Sequence, residues 1–330
     1  MQLFELTKEI LFSTDPSLYL SDLEKRNEVV SLVIDKVNNY EDNRVEVNRA
    51  VFLALSAIYR DPFTAESCND DHPILKELIH RYQLKICQDA SKKHAGLLSS
   101  LPSAENFEEW CIDIVQKDES NVGHPLFIFL QKDSTLAQLR EYIAQESPFD
   151  MYFSDIISSM QAGHYAGERE EMLENFWDEM GHGAKENFHR NMRVDMMNAF
   201  DIPLSLHLED IEYFDVSQLV LANYYLMCVH SRRTQNILIG MMLATECMVP
   251  GRLEMQIAGW LRNGASKDQI KYLIEHVHVD EEHAKGWMKH VVLPLIQKDQ
   301  ALCQDIVLGI MLRLDAATEV CDAMYAHLRK

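Results

Sequence analysis

Apolar residues recur every three to four positions along most of the chain, which is the helical period. In the first third this spacing predicts about five helices, among them residues 18–40, 45–59 and 73–99, separated by polar breaks at Asp61-Pro62 and Ser100-Leu101-Pro102. The segment Asn121-Val122-Gly123-His124-Pro125 carries turn residues and marks a boundary, dividing the chain into 1–120 and 121–330. Beyond it the period predicts helices over 136–161, 168–180, 185–200, 216–229, 234–263, 267–292 and 301–328. No segment alternates in the two-residue rhythm of a strand, and no repeat or low-complexity tract occurs. The expected fold class is therefore all-α.

Composition agrees. Among 330 residues there are only 12 glycines and 9 prolines, so long helices meet few breakers. The net charge of −21 repels phosphate backbones and anionic lipid, which argues against a nucleic-acid or membrane partner. No phosphate-binding glycine loop is present. Seven cysteines lie scattered, none in a CxxC pair, and the N-terminus has neither the basic start nor the apolar core of a secretion signal. The most apolar run, 237–244, is too short to span a bilayer. The expected location is the cytoplasm.

The chemistry concentrates in Glu275-His276-Val277-His278-Val279-Asp280-Glu281-Glu282-His283. A capping box, Ser266 with Gln269, opens the helix that holds it. His276, Asp280 and His283 stand at i, i+4 and i+7 and share an arc of roughly 60°. Leu273 and Trp287 continue that stripe, so two imidazoles and a carboxylate occupy a face that should be core. Burying them unpaired is costly, and a metal removes the cost. His278, Glu281 and Glu282 point elsewhere and read as a solvated acidic face.

Two further segments add ligand types. Glu246 is a lone carboxylate in the apolar run 237–250, with Pro250 expected to kink or end its helix. Glu179 closes one helical stretch, Gly181 and Gly183 break it, and His189 falls one to two turns into the next; a glycine hinge can bring both to one centre. Glu186 competes, because Glu186 and His189 form ExxH. Together these segments offer three carboxylates and three histidines without thiolate, a set suited to a pair of irons in a helical bundle. Zinc hydrolases use fewer ligands and keep an open position. In the first 120 residues His72, His80 and His94 are spread without ligand spacing.

These residues resemble the haem-oxygenase-like diiron oxidase and oxygenase family over roughly 125–330. The likeness rests on Asp178-Glu179-Met180-Gly181 with His189, on Ala244-Thr245-Glu246-Cys247-Met248-Val249-Pro250, and on His276-x3-Asp280-x2-His283. It implies a seven-helix haem-oxygenase-like core that binds no haem, with an additional N-terminal helical region at 1–120 that can support homodimer contacts. It implies two iron ions, one held by Glu179, His189 and a histidine of the third block, the other by Glu246, Asp280 and the remaining histidine. Some similar N-oxygenases carry one more carboxylate on the preceding core helix; Glu146, Asp150 and Asp155 are the candidates, with Asp155 preferred. The implied activity is O2-dependent oxidation of a small metabolite (an amine, amino acid or fatty-acid-like molecule) by N-oxygenation, desaturation or C–C cleavage, with an electron donor as a further partner and natural-product biosynthesis as the setting. Three alternatives use the same residues: a ferritin-like bundle built on ExxH and DxxH, a metal-free helical scaffold, and a thiaminase-II-like protein with Cys247 as nucleophile.

Overall fold

A computed structural model describes residues 2–59, 68–164, 167–203, 210–229 and 231–330, except for the side chains of His278 and Glu281. The described residues form helices joined by short turns, with no strand among them. The N-terminal third contributes α1 (Leu3–Leu11), α2 (Leu23–Asn38), α3 (Arg44–Ser56), α4 (Pro73–Lys93), α5 (Ala95–Leu98) and α6 (Phe107–Lys117). The remainder contributes α7 (Pro125–Lys132), α8 (Leu136–Asp150), α9 (Phe153–Met160), α10 (Gly167–Glu179), α11 (His189–Ala199), α12 (Val216–Val229), α13 (Gln235–Arg262), α14 (Lys271–Gly286), α15 (Leu293–Lys298) and α16 (Leu302–Leu328). One apolar core runs from Leu3 to Leu328 through both parts.

At the centre lies α13, packed against α7, α14 and α16. Its run Ile237–Thr245 is buried on every side, as an all-round apolar helix must be. It meets α16 backbone to backbone. A Cβ on Gly240 would overlap the carbonyl of Ile306, and one on Gly309 would overlap the carbonyl of Ile237. Further along, Arg313 Nε donates to Thr245 Oγ1 at 2.9 Å. From the Asn236–Asp305 hydrogen bond to the Thr245–Arg313 bond the contacts advance together along both helices, so α13 and α16 run in the same direction.

Most expected helices form near their expected limits, and the departures have local causes. The stretch expected over 136–161 is broken at Met151-Tyr152 into α8 and α9. The stretch expected from Lys185 starts regular helix only at His189, after single 3-10 turns at Gly181–Gly183 and Lys185–Asn187, because Phe188 is extended. Pro250 neither ends nor interrupts α13, which continues to Arg262; lacking an N–H, it leaves the carbonyl of Glu246 without its usual intrahelical donor. The Ser266–Gln269 box forms, with reciprocal bonds of 3.0 and 3.3 Å, and regular helix follows from Lys271. After Gly286 the helix widens into a π-turn over Trp287–Val292, a rare geometry found often beside functional sites. His72 and His124 cap α4 and α7 through Nδ1, which accepts from Ile74 N at 3.3 Å and Leu126 N at 3.0 Å. His94 faces Asp315 at 2.8 Å. No helix among the described residues is long and apolar enough to cross a membrane.

Candidate metal centre

Glu179 is the last residue of α10, and His189 the first of α11. The nine residues between them fold back through a tight turn in which Gly181, His182 and Gly183 all have positive φ. A side chain at Gly181 would collide with the backbone of Asn187, so this return requires glycine there. The turn brings His189 Nδ1 to 3.0 Å from Glu179 Oε1, with both residues buried. His276, from α14, completes the group: its ring lies 4.2 Å from that of His189. His276 Nδ1 sits 2.8 Å from the carbonyl of Tyr272, which leaves Nε2 for the centre.

A second group forms one turn further along α14. Asp280 and His283 meet Glu246 from α13, and all three are buried. In each group, Glu179 with His189 and His276, and Glu246 with Asp280 and His283, the potential donor atoms lie within 4.8 Å of one another. The structure thus divides His276 and His283 between the two groups, a division the sequence leaves open. His283 is fixed from behind: Nε2 lies 2.8 Å from Asp178 Oδ2, while Nδ1 faces Glu246 Oε2 at 3.7 Å. Asn175 Nδ2 approaches Glu246 Oε1 at 3.4 Å.

The electrostatics are those of a cluster that wants a cation. Burial, then the neighbouring Glu246, pushes the Asp280 carboxyl well above its ordinary range. Among the described residues Asp280 has neither a hydrogen bond nor an ion pair, although it is only 7% exposed. An unpaired buried carboxylate is expensive, and a metal ion among these oxygen and nitrogen donors would offset that cost. Burial alone would lower His283, but the Glu246 and Asp178 carboxylates raise it to about 10. Burial and the adjacent His189 take His276 down to about 4, so its imidazole is neutral. Burial would raise Glu179; the His189 hydrogen bond and the surrounding imidazoles outweigh it and hold Glu179 below its usual range.

Beside the two groups a cavity of about 1090 Å3, its mouth included, runs between α8, α13, α14 and α16. Phe127, Phe149, Phe153, Leu221, Val249 and Leu253 give it apolar walls. Glu179, His189, Glu246, His276 and Asp280 reach it, as do Glu146 and Asp150. Of the three additional carboxylates, Asp155 is not brought to the site. It pairs with Arg190 at 3.6 Å on a partly exposed surface. Asp150 is bound by the buried Arg193 and approached by Tyr272 Oη at 3.4 Å. Glu146 is pushed up to about 8 by burial and by Asp150.

Other expectations are corrected by position. Glu186 is exposed in the linker before α11 and does not join His189 in an inward-facing ExxH. Cys247 lies beside Cys111 and does not line the cavity. The cysteine that does is Cys321, whose thiol is raised by burial to about 11. Glu282 is exposed and pairs with Lys285 at 2.7 Å, while the outward direction expected of His278 and Glu281 falls outside the described side chains. Sequence reasoning missed Asp178, though it adjoins Glu179. It also missed Arg252 and Arg313; Arg313 ends the apolar run from Ile306, but Asp315 two residues on masks the signal that exposed Glu246.

Residues 140–318 match a family described as iron-containing redox enzymes, and the chain belongs to that family. Its fold is haem-oxygenase-like. It superimposes on a CADD-like protein of unknown function from Nostoc punctiforme with a TM-score of 0.55 at 14% identity, covering 69% of this chain and 99% of that one. A TenA homologue from Pseudomonas syringae pv. tomato aligns with a TM-score of 0.47 at 17% identity, covering 71% of this chain and 94% of that one. No curated protein matches the chain in sequence.

Proposed function

We propose that this iron-containing redox enzyme is a non-haem diiron oxidase or oxygenase that acts on a small molecule held in the cavity. The observation that supports it is the pair of three-residue groups set one turn apart on α14, buried except for the half-buried His276, both reaching one cavity. Glu179, His189 and His276 would hold one ion; Glu246, Asp280 and His283 would hold the other. When bound, the iron pair supplies reductive activation of O2, with electrons from the substrate or an external donor. The chain's own residues do the rest. Asp178 and the Tyr272 carbonyl hold the two α14 imidazoles in single orientations. The apolar walls limit water around the reacting centre. Glu146 keeps its proton on the carboxyl at neutral pH and faces the substrate as a donor.

Anaerobic titration with ferrous iron, followed by metal analysis, tests this. The wild-type chain should hold two irons. His276→Ala and Asp280→Ala should each lose about one, and Glu282→Ala, on the exposed face, should lose none. Ferrous protein should consume O2, and zinc-loaded protein should not. Stoichiometric binding of a single iron, or equal content in all variants, would overturn the reading.

A further inference from the structure

The cavity wall also carries two buried guanidiniums that make no ion pair among the described residues. Arg252 and Arg313 both line the cavity and are only 8% and 4% exposed. Neither has a carboxylate within ion-pair distance among the described residues. Arg193, the third buried guanidinium of this region, is spoken for by Asp150 and the Ile143 carbonyl. Arg313 reaches Thr245 through Nε, and its Nη1 has no partner. Arg252 reaches Ser120, lies over the Phe127 ring at 5.1 Å, and its Nε has no partner. Gln218, also lining and buried, has an unpartnered Nε2.

Buried charges persist only when paired, and buried donors only when bonded. Of the unpartnered buried polar atoms on lining residues, three are donors (Arg252 Nε, Arg313 Nη1, Gln218 Nε2) and one, Gln256 Oε1, is an acceptor. The missing group is therefore an anion rich in acceptors. The planar fork of a guanidinium matches a carboxylate. A dianionic phosphate would add a second negative charge to a cavity that already holds the carboxylates of Asp150, Glu179 and Glu246.

We infer that the substrate is a carboxylic acid whose carboxylate is held by Arg313 and Arg252, with Gln218 assisting, while its apolar body lies along the phenylalanine-lined wall towards the two metal groups. The acid group is then held by protein rather than by metal, and the atom that reacts is a different one. This inference rests on the proposed function only for the word substrate; the binding it requires does not depend on iron.

The test is calorimetric titration of the full chain, metal-free and zinc-loaded, with octanoate and L-phenylalanine as the two acid probes and octanamide and L-phenylalaninamide as their controls. At least one acid should bind to both forms, and at least tenfold more tightly than its amide. Arg313→Gln and Arg252→Gln should each weaken that acid at least tenfold and leave amide binding unchanged. Arg313→Lys, which keeps the charge but loses the fork, should fall between, and it covers the case in which Arg313→Gln fails to fold. Metal content should stay at the wild-type level in the arginine variants, so loss of iron binding and loss of acid binding report on different claims. No binding of either acid, amides binding as well as acids, or arginine variants binding acids normally would each overturn the inference.

Discussion

Glu146 gives the sharpest prediction from electrostatics. Its carboxyl is raised from 4.5 to about 8, first by burial and then by Asp150. A carboxyl whose folded pKa lies above its unfolded value destabilises the fold in its charged form. The penalty is absent below the unfolded value, grows as pH rises between the two values, and is complete above about 8. Each unit of pH in that window costs about 1.4 kcal/mol, so by pH 7.5 the penalty approaches about 4 kcal/mol. Glu146 is half-buried and faces a cleft that admits water, which lowers the expected figure to about 2–3 kcal/mol. Glu146→Gln keeps the shape and cannot ionise. The variant should match the wild type at pH 4.5 and exceed it by that amount at pH 8, in urea unfolding of the metal-free chain followed by helical circular dichroism. The gap between the two proteins should widen with pH. A gap that stays constant from pH 4.5 to 8, or that shrinks, would show that Glu146 is already ionised and paired, and the account of its proton would fall.

Asp178→Asn should weaken iron at the group containing His283 by about 10- to 100-fold, the usual effect of losing a supporting carboxylate, with helicity unchanged; chelator competition would measure it. Gly309→Ala and Gly240→Ala should each destabilise the chain by about 1–3 kcal/mol in urea, because the helix contact must open and the gain in helix propensity, about 1 kcal/mol, is smaller. Gly96→Ala, where a Cβ meets nothing within 4 Å, is the control and should be neutral or stabilising. His72→Ala should cost about 1 kcal/mol through loss of the α4 cap, with no change in iron content.

The helical period carried most of the fold, since α12, α13 and α16 depend on long regular apolar spacing that tertiary contacts do not override. It failed at Met151-Tyr152 and Phe188, where single backbone angles break the helix without altering the apolar pattern. The three-residue stripe on α14 was legible because its members share one helix face. Which histidine joins which group was not legible, because that depends on how α10, α11 and α13 approach α14. Asp155 was preferred to Glu146 in sequence, and the packed structure reverses that order: Asp155 pairs with Arg190, whereas Glu146 lines the cavity. Arg252 and Arg313 each stand two residues before an acidic residue, Glu254 and Asp315, so the sequence carries no sign that they lack partners; that belongs to the packed structure alone.

The backbone contact between α13 and α16 turns the cavity into a ruler. Gly240 and Gly309 lock the two helices in register. Glu246 then lies about 9 Å along α13 from one lock, and Arg313 about 6 Å along α16 from the other, at 1.5 Å per residue. Neither helix can slide to suit a guest. If Arg313 holds an acid and the Glu246 group holds an iron, as proposed, the two ends of the site are fixed relative to each other, and the atom presented to the metal is set by its count from the carboxylate. Under that proposal a longer or shorter homologue could still be held by its acid group, but a different atom, or none, would meet the metal. In such a site the position of oxidation is set by the length between two helices, and selectivity would be read in the distribution of products across a chain-length series before it was read in affinity.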